Sequence, residues 1–170
     1  MTTLQAGVGR ADISPAKGTY LAGYGHPFRT CKSVRDPLTA TVLLLDDGAT
    51  RVALVTLDAL SIHEDVVAQV RERVRQAAEV DVSHAFVVCS HSHCSPVLSV
   101  TPTCSEAQQH HVNTALDRVG EAAAEAVTSL GSATMHVGRG ENTITVNRRE
   151  TNAKGETVIG AVPDGPIDPD

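Results

Sequence analysis

His91 and His93 are the residues of this 170-residue chain whose types and spacing point most directly to chemistry. Side chains two positions apart on an extended strand leave on one face, so the imidazoles of His91-Ser92-His93 can share a cation. The pair follows Phe86-Val87-Val88-Cys89, a continuously apolar run that reads as a strand covered on both faces. Ligand clefts of α/β folds form at the C-terminal ends of strands, which makes this a candidate metal site. The plain alternative is a hydrogen-bonded structural pair. Asp58 ends another aliphatic run, Val52 to Leu57, and is either a carboxylate that orients an active-site histidine or a turn cap. Cys94 adds a thiol beside His93, although nothing around it signals a lowered thiol pKa. Tyr24 and His26 are loop residues that either face a pocket or are neutral, and His63, His110 and His111 read as surface or packing residues.

The elements that must hold these groups follow from periodicity and punctuation. Ala6 to Ile13 alternates weakly and stops at Ser14-Pro15, as a first strand does. Gly18 to Pro37 has glycines and prolines but no period, which implies a functional or mobile loop. Thr39 to Leu45 and Val52 to Leu57 flank Asp46-Asp47-Gly48 as a hairpin. Ser61-Ile62-His63-Glu64 matches a capping box, and Val66, Val67, Val70, Val74, Ala77 and Ala78 then predict an amphipathic helix to about Glu79. Ser105-Glu106-Ala107-Gln108 opens a second one, with an apolar stripe from Val112 to Leu130 and Gly131 as its stop. Thr134 to Val137 and Thr143 to Val146 read as two further strands, and the chain beyond Asn147 is polar and turn-rich. Together these predict a layered α/β domain over residues 1–170, with a mixed sheet and two main amphipathic helices. The closing run from Pro163 to Asp170 reads as a loop leading into another element, so a truncated chain is expected.

Composition narrows the chemistry. With 41% apolar residues the chain can bury a continuous core. A net charge of -6 with interspersed signs argues against a nucleic-acid partner, which needs clustered Lys and Arg. Aromatics at 2% leave no stacking platform for bases or sugars. No apolar run approaches the ~20 residues of a membrane span and the N-terminus lacks a signal-peptide pattern, so a cytoplasmic protein is expected, or a secreted one if an upstream segment is missing. Cys31, Cys89, Cys94 and Cys104 are irregularly spaced and read as reduced thiols, Cys89 as a small buried hydrophobe, while Cys94 and Cys104 flank one loop and can pair if oxidised.

Neither of two familiar settings for H-x-H suits the neighbours. Ser95 and Pro96 stand where a metallo-β-lactamase-type H-x-H-x-D-H site requires Asp and His, and a (β/α)₈ amidohydrolase barrel needs ~250 residues and opens with the motif. A different order of signposts runs through the chain: Gly7-Val8-Gly9-Arg10-Ala11-Asp12-Ile13-Ser14-Pro15, Gly23-Tyr24, Asp36-Pro37-Leu38, Val55-Thr56-Leu57-Asp58, His91-Ser92-His93-Cys94-Ser95-Pro96 and Asn147-Arg148-Arg149. In these the chain resembles the N-terminal domain of the neutral/alkaline, non-lysosomal ceramidase family.

That resemblance implies a zinc-dependent hydrolase of N-acyl amides. Position by position, it makes His91 a ligand of one zinc ion. It makes His93 and Arg148 catalytic and substrate-binding residues, with Asn147 beside them. The implied partner is a small-molecule or lipid amide. Cys94 and Ser95 replace the usual small pair after the second histidine, and Val97-Leu98-Ser99 replaces a glycine-rich continuation. The family's other zinc ligands and its serine lie downstream of the matched region, so the remaining coordination is expected outside this chain and the isolated piece is expected to be inactive. Two other readings compete with the hydrolase: a non-catalytic binding module of the same fold, and a small metal- or redox-responsive protein using His91, His93 and Cys94.

Overall fold

Burial alternates along the first four of the five strands of the main sheet, and its parity decides which face is covered. The structure is a computed structural model that describes residues 3–24, 29–100 and 104–167. Its backbone groups into two compact units, Met1–Thr134 and Met135–Asp170.

In the first unit, β1 (Gln5–Asp12), β2 (Thr39–Asp46) and β3 (Arg51–Leu57) form an antiparallel meander. Helix α1 (Glu64–Ala78) and one 3-10 turn (Val82–His84) carry the chain to β4 (Ala85–Cys89), which pairs parallel to β3. Helix α2 (Glu106–Thr128) then leads to the two-residue β5 (Gly131–Ser132), which pairs with the start of β1. The strand order is β4-β3-β2-β1-β5, a mixed sheet with two helices as the residue pattern implies.

Both helices lie on one face. Ala40, Val42 and Leu44 of β2, and Ala53, Val55 and Leu57 of β3, are buried with Val66, Val70 and Val74 of α1 and Val112, Leu116 and Val119 of α2. Each of the Val and Leu side chains contributes about 1.5–3 kcal/mol of apolar transfer free energy. The Gly-Val-Gly run of β1 has a steric reason, because a Cβ on Gly7 or Gly9 would enter the α2 backbone at the carbonyls of Ala126 and Ala122. Only glycine lets that helix lie so close to that strand.

Several expectations need correction. Strand β4 is not covered on both faces: Phe86 is 59% and Val88 54% exposed, because β4 is an edge strand and both helices cover the other face. Helix α1 does not start at Ser61. Its N-cap is His63 with no side-chain cap, because residues 61–63 are held extended by the Ser61 and Leu98 backbones, with Ile62 bridging Leu98. Ser105 does cap α2, its hydroxyl accepting from Gln108 N–H, but α2 ends at Thr128 and Gly131 is a strand residue rather than the stop. Residues 133–146 contain no strand. Met135, Val137 and Ile144 are 66%, 89% and 85% exposed, since an alternating pattern without an edge to pair with gains nothing from extension.

The second unit instead forms a hairpin in the stretch read as loop, β6 (Asn147–Thr151) against β7 (Thr157–Val162). Asn152 supports its turn, its side-chain oxygen accepting from Lys154 and Glu156 N–H. No helix among the described residues is long and apolar enough to cross a membrane.

Candidate functional site

The C-terminal ends of β3 and β4 point to the same tip of the sheet, and segments 13–24, 29–38, 58–63 and 90–98 meet there. Strand β4 stops at Cys89, so the histidine pair lies beyond it. The rings nevertheless come together, with centroids 4.9 Å apart and planes at 79°. Strand alternation is not the cause. His91 adopts φ 58°, a left-handed conformation that turns the chain between the two rings. A non-glycine residue held there costs of order 1 kcal/mol and persists only where its surroundings fix it.

Those surroundings are backbone. Ser90 N–H donates to Leu57 O at 3.0 Å and Ser92 N–H to Ala59 O at 3.2 Å, one on each side of His91. His91 Nδ1 lies 2.8 Å from the Leu60 carbonyl oxygen. A carbonyl only accepts, so Nδ1 carries a proton, and in the neutral imidazole Nε2 then keeps its lone pair, the tautomer that a metal ligand requires. The ring is exposed.

His93 is held from the opposite side. The Tyr24 ring meets it edge-on at 5.2 Å, and the Arg29 guanidinium carbon lies 4.6 Å over the Tyr24 ring. Arg29 Nη2 donates to the His93 carbonyl at 2.8 Å. Gly23, at φ 107°, leaves room for the ring, since a Cβ there would come within 2.7 Å of His93 Cγ. Ala22 N–H donates to Ser95 O at 3.0 Å, tying the same loops together. Arg29 Nη1 is buried and has no hydrogen-bond partner among the described residues.

The other sequence candidates fall in three places. Asp58 Oδ2 accepts from Thr39 N–H and Oγ1, both at 2.9 Å. Burial pushes its carboxyl up, but bonds from Thr39 and from the Ser90 side chain outweigh that and hold it below the usual range. It therefore staples β2 to the end of β3 and touches the residue before His91, while Leu60 orients the His91 ring. Asn147 and Arg148 belong to the second unit. Asn147 Nδ2 donates to Pro166 O at 2.7 Å and its Oδ1 accepts from Arg149 N–H at 2.8 Å, while Arg148 is exposed at an irregularity of the hairpin register. His26 lies outside the described residues.

Cys31, Cys89 and Cys94 are free thiols. Burial pushes Cys89 up, which makes it a poor nucleophile. His111 is buried on α2, which lowers its pKa, and His63 and His110 are exposed. Among the described residues no group of three or more His, Cys, Asp or Glu side chains could hold a metal ion. Arg29 and Leu60 carry no sequence signal, whereas Gly23-Tyr24 stands among the signposts of the resemblance and in the glycine-rich loop from Gly18.

No protein-family model matches the chain, and no curated protein matches it. Solved structures do. The chain is similar to neutral ceramidase from Pseudomonas aeruginosa, with TM-score 0.66 and 18% identity over 78% of this chain. A structure described as ceramidase complexed with C2 matches with TM-score 0.63 and 17% identity over 78% of this chain. The chain spans 22% of the length of each. The matched 78% of this chain thus has a fold found within ceramidase structures.

Proposed function

We propose that this chain is the N-terminal part of a zinc-dependent hydrolase of N-acyl amides resembling neutral ceramidase, with His91 as one metal ligand and His93 facing the substrate. The observation that carries the reading is the His91 ring, whose Nδ1 is spent on the Leu60 carbonyl and whose Nε2 is left as a donor 4.9 Å, ring to ring, from His93. The fold likeness supports it independently of those side chains.

As a donor set for zinc, the tip fits in part. His91 suits the ion in chemistry and tautomer, but a catalytic zinc normally takes three protein ligands. The described residues do not supply them. The remaining ligands belong, in this reading, to polypeptide beyond the matched 22%. When bound, zinc lowers the pKa of a water to about 7 and polarises a carbonyl.

The chain's own residues then have separable tasks. Leu60 fixes the His91 tautomer. Tyr24 and Arg29 hold the His93 ring and backbone so that its imidazole can bind a polar atom of the amide. Asn147 and Arg148 are assigned to the substrate's polar atoms, where a fixed cation would stabilise a developing oxyanion. A lipid amide in a cytoplasmic setting is the substrate class we assign, or a secreted setting if a leader precedes the chain.

Elemental analysis of the longer gene product, with and without His91→Ala, tests this alongside hydrolysis of a fluorogenic N-acyl amide. About one zinc per chain and turnover, both lost in the variant, are expected. A metal-free, inactive wild type would overturn the reading. The incomplete donor set favours one alternative, a non-catalytic binding module of the same fold. Intact mass from the native source separates the two, because the module predicts 170 residues.

A further inference from the structure

A cavity of about 170 Å³ lies between the start of α2 and the stretch that follows β1. Ser14, Ala16 and Thr19 line it from one side, and Ala107, His110, His111 and Thr114 from the other. At about 30 Å³ per water it has room for a few waters or one small ion, and it is smaller than sites for drug-sized molecules. Apart from the two alanines, every side chain in its wall carries a hydrogen-bonding group.

Two of those groups are held inside the fold without a partner. His111 is 6% exposed and Thr19 2%, yet among the described residues neither side chain is hydrogen-bonded. Buried imidazoles and hydroxyls are normally paired. Unlike Arg29 Nη1, their polar atoms are not sealed off, and the cavity is what they open onto. An occupant that accepts hydrogen bonds would satisfy both.

The charges favour an anion. The first turns of a helix carry the positive end of its dipole, and α2 is 23 residues long. Among the described residues no carboxylate lines the cavity. Arg10 and Asp12 of β1 are engaged with Thr41 and Ser14, and Asp65 and Arg73 of α1 with His63 and Asp117. Lys17, Glu64 and Glu106 are exposed and outside the wall. His110 is the only charged neighbour that acts on His111, and burial, with that repulsion, holds the His111 pKa below the ordinary histidine value. The ring is therefore neutral at pH 7 in the free protein, and an anion beside it would draw a proton onto it.

We propose that this cavity binds one free tetrahedral oxyanion, sulfate or inorganic phosphate, held by the Thr19 and Thr114 hydroxyls, by His110 and by protonated His111. The proton comes from solvent, so anion binding and proton uptake are coupled. The site stands independently of the amidase reading above.

The 170-residue chain is titrated with sulfate against chloride of equal ionic strength, and the His111 ring is followed by proton–carbon NMR from about pH 6 to 8. Sulfate keeps its charge over that range, so any pH dependence belongs to the protein. It should raise the His111 titration midpoint by about one pH unit, and its affinity should fall about tenfold per pH unit above that midpoint. His84 and His136, outside the cavity wall, should not respond. Thr114→Val keeps the side-chain shape and should weaken sulfate about fivefold, the loss of one hydrogen bond. His111→Gln should leave binding that no longer changes with pH. An unmoved His111 midpoint, a pH-independent affinity in the wild type, or full affinity in Thr114→Val would each overturn the proposal. Glycerol phosphate binding more tightly than inorganic phosphate would overturn the free-ion assignment in favour of a phosphoester headgroup.

Discussion

The two tips of the sheet are built in opposite ways. At the tip formed by the β2–β3 turn, the chain reverses between Asp46 and Arg51 and settles most of its polar groups locally, the Arg51 bond to Ala78 being the long-range exception. Asp46 Oδ1 accepts from Gly48 N–H at 2.8 Å, Asp47 Oδ1 from Ala49 and Thr50 N–H, and Arg51 joins Asp46 at 2.7 Å while donating to Ala78 O at 2.7 Å. At the histidine tip the bonds run between segments far apart in sequence, such as Arg29 to His93 and Leu60 to His91, and one guanidinium nitrogen has no acceptor among the described residues. Each tip holds one non-glycine residue in the left-handed region, Glu79 at φ 53° and His91 at φ 58°. Glu79 merely ends α1, its N–H donating to Arg75 O, whereas His91 presents a ring. The difference teaches that strain at the second tip serves presentation, while at the first it serves chain reversal.

The largest expected effect tests the close packing on which both tips depend. Gly9→Val drives a side chain into the α2 backbone, and loss of about 3 kcal/mol or of folding altogether is expected by urea or thermal denaturation. A variant of unchanged stability would mean that the α2 approach is looser than drawn here.

Next, truncation should separate the tips. Arg51→Ala strips Asp46 of its partner and frees the Ala78 carbonyl, so about 1–3 kcal/mol of stability should be lost without effect on any metal affinity. Gly23→Ala forces a Cβ toward the His93 ring and should disturb zinc binding and the Cys94 loop more than it disturbs the global melt. Equal losses on both readouts for both variants would erase the distinction.

Relief of strain is a smaller effect with opposite sign. Glu79→Gly should raise stability by about 0.5–1 kcal/mol, because glycine adopts positive φ without penalty, whereas in His91→Gly the same gain is offset by the lost bond to the Leu60 carbonyl and stability should stay about level. Only His91→Gly should abolish metal uptake by the longer protein. A destabilised His91→Gly chain would show that the imidazole is a structural member after all.

Acid should weaken the whole unit, and the turn in particular. Hydrogen bonds from Gly48 and Arg51 lower Asp46, those from Thr50 and Ala49 lower Asp47, and Asp58 is also lowered. The folded state therefore holds fewer protons than the unfolded one, and this contribution is complete above the ordinary aspartate pKa of about 3.9 and is lost as pH falls below it through the lowered folded-state values. Denaturant midpoints should drop across that window, and less so for Asp47→Asn. An unchanged acid dependence in that variant would remove the turn from the account.

Where the chain alternates, its reading was close. β1, β2 and β3 came within a residue or two because one covered face imposes a period of two, and Ser105 marked the α2 cap because side chain and backbone are local. β4 was misjudged because Phe86-Val87-Val88 is apolar at every position, and periodicity alone cannot say that the sheet leaves one side open. The β6–β7 hairpin was missed because polar strands paired in a small unit carry little alternation. At the site, His91 and His93 were legible as a motif. Arg29 and the Leu60 carbonyl were not, since a contact across 64 or 31 residues leaves no local pattern.

The proposed metal site depends on His91 Nε2 carrying a free lone pair in the neutral ring. Long-range proton–nitrogen NMR of the metal-free chain above neutral pH reads the tautomer directly. The Leu60 contact predicts a protonated Nδ1 and a bare Nε2 for His91. A His91 ring protonated at Nε2 would contradict it.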